Sequence, residues 1–159
     1  MQTRTNWFAI VAALSIAIAA ITVGCKSTEE GKATRVSVSE LPEPARAAVN
    51  KLTAGGQIEK IDKEIEKGKV IYDVEATVGG KHVEYSIGED GSVLGTETSI
   101  EISELPPPVR AAAEKYFGTT TGLKAMKGVE EGKTHYEVEG KKDGKNAEVT
   151  FDPSGNRTE

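Results

Sequence analysis

Residues 68–81 read Gly-Lys-Val-Ile-Tyr-Asp-Val-Glu-Ala-Thr-Val-Gly-Gly-Lys, and this stretch decides the fold. Apolar and polar side chains alternate along it, and a period of two predicts a half-buried β-strand. One predicted face carries Val70, Tyr72, Val74, Ala76 and Val78, and the other carries Ile71, Asp73, Glu75 and Thr77. The Gly79-Gly80 pair supplies the positive φ angles of a two-residue hairpin turn, so an antiparallel strand is expected to follow.

The same pattern returns 64 residues later in the chain. Residues 36–95 align with residues 100–159 without a gap and with 21 identities in 60 columns. Tyr72-x-Val74-Glu75 matches Tyr136-x-Val138-Glu139, and the glycine columns pair Gly68 with Gly132, Gly80 with Gly144 and Gly91 with Gly155. The offset predicts two tandem units, the first over residues 36–98 and the second over residues 99–159.

Each predicted unit also contains one amphipathic helix. It follows a short strand lead-in at Val36 and Val38 (Ile100 and Ile102 in the second unit) and starts near a Leu-Pro pair, where proline is tolerated. The apolar helix positions are Leu41, Ala45, Ala48, Val49 and Leu52, then Leu105, Val109, Ala112, Ala113 and Tyr116. Gly55-Gly56 and Gly118 are expected to end the two helices.

We therefore predict an α+β fold in which a helix packs on a four-stranded antiparallel β-meander, repeated in tandem after an N-terminal signal helix. A unit of about 60 residues is marginally stable alone. The two units are thus expected either to pack together or to join their sheets, and the run Ser92–Ile102 suits the second arrangement.

The N-terminus carries an export signal. Arg4 precedes an uncharged apolar run over residues 7–23, which ends in Gly24-Cys25 and then turns polar. This order predicts a signal peptide over residues 1–24, with a retained membrane-spanning helix as the alternative. Residues 25–35 are polar and are expected to form a flexible tether.

The stretch Ile21-Thr22-Val23-Gly24-Cys25 resembles the lipobox of bacterial lipoproteins, although it has Thr22 where leucine is usual. That resemblance implies acylation of Cys25, the only cysteine, and hence a membrane anchor on the cell envelope, on its periplasmic or surface side. The net charge of −5 and the lack of a basic patch argue against a nucleic-acid partner.

The repeated motifs resemble the PepSY and PepSY-like group, which includes domains described as beta-lactamase-inhibitor-like. The resemblance rests on Leu-Pro-x-Pro-x-Arg-Ala-Ala, on Gly-Lys-x-x-Tyr-x-Val-Glu and on the glycine turns, and it covers both units. It implies an exported, non-enzymatic module that binds or restrains another protein, with peptidases as suggested targets. The shared positions are structural, so the resemblance transfers no functional residue.

The sequence predicts no catalytic or metal centre, and no cofactor is expected. His82 and His135 fall in different repeat columns and are predicted on exposed strand positions. The acidic turns at residues 89–92 and 152–156 lack the ladder of oxygen ligands that Ca²⁺ needs, and their composition favours tight turns.

The predicted polar face of the sheet is the candidate site for a partner. It carries Asp73, Glu75, Glu84, Glu137, Glu139 and Glu148. One interpretation is a surface that binds an envelope protein or peptide with a basic or polar surface. The other is a solvated face neutralised by Lys60, Lys63, Lys124 and Lys127. A structural or sensory envelope lipoprotein without inhibitory activity is the alternative function.

Overall fold

The computed structural model describes residues 33–158 of the chain. The predicted signal peptide, Cys25 and most of the predicted tether lie outside the described residues. Neither helix between residues 33 and 158 combines the length and the apolar character needed to cross a membrane.

The described chain consists of eight strands and two helices. In chain order these are β1 (Thr34–Arg35), α1 (Glu43–Leu52), β2 (Gln57–Glu66), β3 (Lys69–Val78), β4 (Lys81–Gly88), β5 (Val93–Ile100), α2 (Pro107–Phe117), β6 (Lys124–Glu130), β7 (Lys133–Lys142) and β8 (Lys145–Phe151).

All eight strands belong to one antiparallel sheet, and their order in the sheet is their order in the chain. The predicted fold class is therefore wrong: the protein is a mostly-β fold with a single sheet, and not a tandem repeat of a helix on a four-stranded meander. Strand β5 is the reason, because Glu97 pairs with Glu84 of β4 on one side and with Gly128 of β6 on the other. It crosses the predicted boundary between residues 98 and 99, and the division into two units stays a prediction.

Both helices lie on one face of this sheet and bury the predicted apolar positions. Helix α1 packs with the first core cluster, which contains Leu41, Ala45, Val49, Ile61, Tyr72, Val74 and Ile87. Helix α2 packs with the second, which contains Leu105, Val109, Ala113, Phe117, Leu123, Ala125, Tyr136, Val138, Val149 and Phe151. The alternation predicted for β3 is confirmed, because Tyr72 and Val74 lie in the first core cluster and Asp73 and Glu75 do not.

The helix ends differ partly from the prediction. Helix α1 ends at Leu52, before the glycine pair, because the Thr53 hydroxyl donates a hydrogen bond to the Val49 carbonyl 2.8 Å away and closes the last turn. Helix α2 ends at Phe117, and Gly118 caps it with a φ of 77°, as predicted. The expected strand lead-ins are only partly strand. Ile100 ends β5 and Val36 directly follows β1, whereas Val38 and Ile102 begin short 3₁₀ turns at Val38–Glu40 and Ile102–Glu104.

Two glycines bring the turns after β4 and β8 against the helices. Gly91 has a φ of 80°, and a Cβ atom there would lie 2.6 Å from the Pro44 carbonyl oxygen. Gly155 has a φ of 81°, and its Cβ would lie 2.6 Å from the Pro108 carbonyl oxygen. Only glycine satisfies both constraints, so each turn can close over the first turn of a helix.

Candidate functional site

The side of the sheet opposite the helices carries the acidic residues, and we call it the polar face. Strand register defines it, because directly paired residues point to the same side of an antiparallel sheet. Asp73 pairs with Ser86, Glu75 with Glu84, and Glu139 with Glu148. Glu137, two residues before Glu139, shares that side. All six residues predicted for the candidate site thus lie on the polar face, and their role in binding stays a prediction.

A row of three glutamates crosses the middle of the polar face. Glu75 of β3, Glu84 of β4 and Glu97 of β5 are directly paired across neighbouring strands. Strands lie about 4.8 Å apart, so these carboxylates occupy adjacent positions on one line. Like charges placed directly opposite destabilise a sheet, which makes this row a costly feature of the fold.

Lys60 of β2 lies at one end of the carboxylate row. Its Nζ lies 2.6 Å from Glu75 Oε1 and 3.4 Å from Asp62 Oδ2. Burial disfavours the charged ammonium, but Glu75 and Asp62 outweigh that effect and raise the pKa of Lys60. The lysine therefore stays charged and neutralises this end of the row.

His135 of β7 lies at the other end of the row and reaches across strand β6. Its Nε2 lies 3.0 Å from Glu97 Oε1, two strands away. Gly128 lies between them, and a Cβ there would collide with the imidazole Nε2. The glycine thus leaves the space in which β5 and β7 are linked by side chains. Glu97 is 4% exposed, and burial raises its pKa against the opposing effect of His135.

Sequence reasoning missed Glu97 as a member of the face. The residue lies near the predicted unit boundary, and position 97 falls outside both aligned ranges, residues 36–95 and residues 100–159. The alternation along β5 could have revealed it. One face carries Gly95, Glu97 and Ser99, and the other carries Thr96, Thr98 and Ile100, so Glu97 lies on the opposite face from the apolar Ile100.

A second group of carboxylates lies on the outer strands of the polar face. Oxygens of Glu137, Glu139 and Glu148 lie within 4.8 Å of one another. Within residues 33–158, no Lys or Arg side chain forms an ion pair with any of the three. Oxygen ligands of this kind suit a hard divalent cation such as Ca²⁺.

Burial and like charge perturb the pKa values of Glu137 and Glu148. Burial, followed by the charge of Glu148, raises the pKa of Glu137, and burial together with the charge of Glu139 raises that of Glu148. The pair therefore holds a proton at a pH at which ordinary glutamates are ionised.

Asp73 is the other strongly perturbed acid of the face. Burial raises its pKa to about 7, against the opposing effect of a hydrogen bond from Ser86 Oγ, which lies 2.8 Å from Asp73 Oδ1. The charges of Glu64, Glu66 and Glu84 raise it further. The row and the outer group thus concentrate negative charge that is only partly neutralised.

Only two of the four lysines expected to neutralise the face lie on it. Lys60 pairs with Glu75, and Lys124 pairs with Glu139. Lys63 and Lys127 pair with Tyr72 and Tyr136, which are core residues, so they point to the helix side. The prediction that these four lysines neutralise the polar face is therefore wrong for Lys63 and Lys127.

The histidines and the acidic turns have structural partners. His82 is partly buried, and its Nε2 lies 3.0 Å from Glu84 Oε1. The Asp90 carboxylate accepts hydrogen bonds from the amide and hydroxyl of Ser92 at 2.9 and 2.6 Å. Asp152 accepts bonds from the Ser154 and Asn156 amides at 2.8 and 2.9 Å. These aspartates shape the tight turns that the composition predicts.

Solved structures from Bacteroides species resemble this fold. An inferred periplasmic protein from Bacteroides eggerthii DSM 20697 superposes with a TM-score of 0.59 at 15% identity, over 75% of this chain and 86% of the other. A DUF2874 family protein from Bacteroides ovatus ATCC 8483 gives 0.56 at 12% identity, over 75% and 85%. A BLIP-like protein from Bacteroides fragilis NCTC 9343 gives 0.53 at 22% identity, over 75% and 84%.

The chain shares its fold with these three proteins. At these identities the likeness concerns the fold alone. No protein-family description matches the sequence, and no curated protein matches it either.

Proposed function

We propose that this chain is an exported, non-enzymatic binding module of the cell envelope whose polar face holds a basic partner protein or peptide. The observation that carries the proposal is the row of Glu75, Glu84 and Glu97, which lie directly opposite one another across three strands. The fold shared with inferred periplasmic and BLIP-like proteins supports it. So does the resemblance to the PepSY-like group.

Opposed like charges in the carboxylate row weaken the sheet. The side chains of Lys60, His82 and His135 each contact one of the three glutamates, and a cationic partner lowers the repulsion that remains between them. Complementary charge also speeds association and favours one class of partner. A structural or sensory lipoprotein without a partner on this face is the second candidate, and the experiment below separates the two.

Neutralising the polar face should weaken binding of a basic peptide. A variant with Glu75→Gln, Glu84→Gln, Glu139→Gln and Glu148→Gln replaces four carboxyl groups of the polar face without changing side-chain size. With a lysine- and arginine-rich peptide as the probe, we expect its affinity to fall roughly tenfold or more, because each charge pair contributes a few tenths to about 1 kcal/mol. Calorimetric titration at two salt concentrations measures this, and the salt dependence should fall with the affinity.

The matched control carries the same four-fold change away from the polar face, at exposed Glu43, Glu89, Glu114 and Glu131. It has the same net charge as the face variant, so a difference between them reports position rather than total charge. Equal affinities for the two variants would remove the face from the proposal and leave the structural or sensory role.

We also propose that Cys25 is acylated and anchors the mature protein to a membrane. A Cys25→Ser change should move the protein from the membrane fraction to the soluble fraction, because the acyl chains are its anchor. Immunoblotting of the separated fractions measures this, with Ser27→Ala as the neighbouring control. A Cys25→Ser protein that remains in the membrane is held by an uncleaved apolar helix instead.

A further inference from the structure

The two outermost strands of the sheet have edges that no other strand of the described chain covers. Strand β1 pairs with β2 and β8 pairs with β7, and the sheet order ends at both. Against the far end of β8, Arg157 forms a single bridge with Phe151, and the Thr158 amide donates a 2.9 Å hydrogen bond to the Thr150 carbonyl. Within residues 33–158, the remainder of that edge, residues 145–149, is open. An open edge can accept a further strand.

The first edge has the strand register of β5, displaced by 64 residues. Thr34 of β1 pairs with Lys63 of β2. In the middle of the sheet, Thr98 of β5 pairs with Lys127 of β6. Strand β1 therefore lies against β2 as the last part of β5 lies against β6.

The other edge repeats the first part of β5 with the same displacement. Arg157 pairs with Phe151 beside β8, as Val93 of β5 pairs with Ile87 of β4. Each outer edge thus carries one part of a strand that β5 supplies whole. What β5 joins inside the chain is separated at the two ends of the sheet.

The hydrogen-bonding groups of β8 point outward at alternate residues. Lys142 and Lys145 flank the two-residue turn and are directly paired, so they bond to each other. The bonding direction alternates along an antiparallel strand. Asn146 and Glu148 therefore direct their N–H and C=O groups away from β7, on the same side as the Thr150 carbonyl that accepts the outer hydrogen bond.

The outward groups of β1 match them. The Val36 amide donates a 3.0 Å hydrogen bond to β2, so alternation turns the N–H and C=O groups of Ala33 and Arg35 outward. In the register of β4 with β5, displaced by 64 residues, Ala33 faces Glu148 and Arg35 faces Asn146. All four residues then direct donors and acceptors at each other.

The side chains of the two edges are complementary in charge. Arg35 lies on the polar face with its side chain 62% exposed, and its Nε binds Asp62 at 2.8 Å. A guanidinium has further donors, and Glu148 is a diagonal neighbour in this register, within reach of a long side chain. Ala33 faces Glu148 directly, so the opposed carboxylates found at Glu84 in β4 do not recur.

We propose that copies of this chain associate head to tail, with residues 33–36 of one copy pairing antiparallel with residues 145–148 of the next. The sheet then continues from copy to copy, and residues 157–158 of one copy share a strand position with residues 33–36 of its neighbour. The arrangement of α1 and α2 on either side of β5 shows that helices on this face leave room for it. Because the two edges differ, the contact is heterologous and extends beyond a dimer.

Sedimentation of the full chain in neutral detergent, with a large excess of micelles over protein, tests the association. We expect the average mass to pass that of a dimer as the protein concentration rises, because every added copy presents a new open edge. A mass that stays monomeric, or that stops at the dimer, would overturn the proposal.

Two proline variants test which edges meet. Proline lacks an N–H and is tolerated on the outward side of an edge strand. Ala33→Pro and Asn146→Pro each remove one outward donor, and each variant alone should self-associate roughly tenfold or more weakly, because a carbonyl of the neighbour is left unpaired. Mixed in equal amounts, they should form a one-to-one dimer with the unmodified affinity, since each keeps the edge that the other has lost.

The matched controls keep the N–H group at both positions. Ala33→Ser and Asn146→Ala should associate like the unmodified chain. Undiminished self-association of either proline variant, or a mixture that forms no dimer, would overturn the proposal, because the meeting edges would then not be β1 and β8.

Amide hydrogen exchange of the unmodified chain keeps the test decisive if a variant fails to fold. The outward amides of Ala33 and Glu148 should exchange several-fold more slowly as the protein concentration rises, because association places them in new hydrogen bonds. Exchange rates at these two amides that do not change with concentration would also overturn the proposal.

Discussion

Replacing Val74 with aspartate should unfold all eight strands together, although the residue belongs only to the first core cluster. Val74 is 0% exposed and packs between α1 and the sheet. An ionised carboxylate there has no partner, so we expect a loss of about 4 kcal/mol or more of unfolding free energy. That is a large fraction of the 5–15 kcal/mol by which domains are typically stable.

The loss should extend to the second half because β5 is hydrogen-bonded to both β4 and β6. Neither half alone, at about 60 residues, buries enough surface to be more than marginally stable. Amide hydrogen exchange followed by NMR measures this, with Val138 and Val149 of the second cluster as reporters. We expect both amides to lose protection in the variant, in parallel with those of β3.

Val93→Asp is the matched control for this experiment. Val93 is 46% exposed at the start of β5, so the same substitution leaves its carboxylate in water. Stability should change by about 0.5 kcal/mol or less there. Retained protection at Val138 and Val149 in the Val74→Asp protein would mean that the two halves unfold independently.

Replacing Gly91 with alanine should remove about 3 kcal/mol of unfolding free energy. Part of the loss is the cost of a side chain at a φ of 80°, about 1 kcal/mol. The rest comes from the Cβ atom, which would lie 2.6 Å from the Pro44 carbonyl oxygen and force the turn away from α1. Chemical denaturation monitored by circular dichroism gives the value, and Gly155→Ala should behave in the same way against Pro108.

Gly118→Ala separates the backbone cost of a positive φ from the cost of the steric contact. Gly118 has a φ of 77°, but a Cβ there has no atom within 4 Å, so only the backbone cost of about 1 kcal/mol applies. An equal loss in Gly91→Ala and Gly118→Ala would show that the contact with Pro44 adds nothing.

Local patterns predicted much of this structure. The period of two placed Tyr72 and Val74 in the core and Asp73 and Glu75 on the polar face. The same period also separates Lys63 from Lys60. The two residues are three positions apart on one strand, so their side chains point to opposite faces of the sheet. The run Ser92–Ile102 favoured joined sheets, and β5 does join them. No local pattern specified which strands would pair there, since pairing of β5 with β6 joins segments separated by a whole helix.

The charge environment of the site was equally hard to predict. Glu97 and His135 are 38 residues apart and meet only because Gly128 provides the space between their strands. The raised pKa of Asp73 depends on burial and on acids from neighbouring strands, and neither is visible in its own segment. Such features arise from register between distant strands, which a linear pattern does not specify.

The sequential order of the strands has a consequence for how the chain assembles. Each strand pairs with the one synthesised just before it, so no early segment has to wait for a late one to complete its ladder. A chain that emerges from its N-terminus can therefore add strands one at a time to a growing edge, with few distant contacts to find. Topologies of this kind, rich in near-neighbour pairing, fold faster than sheets closed by distant strands and expose unpaired edges for less time.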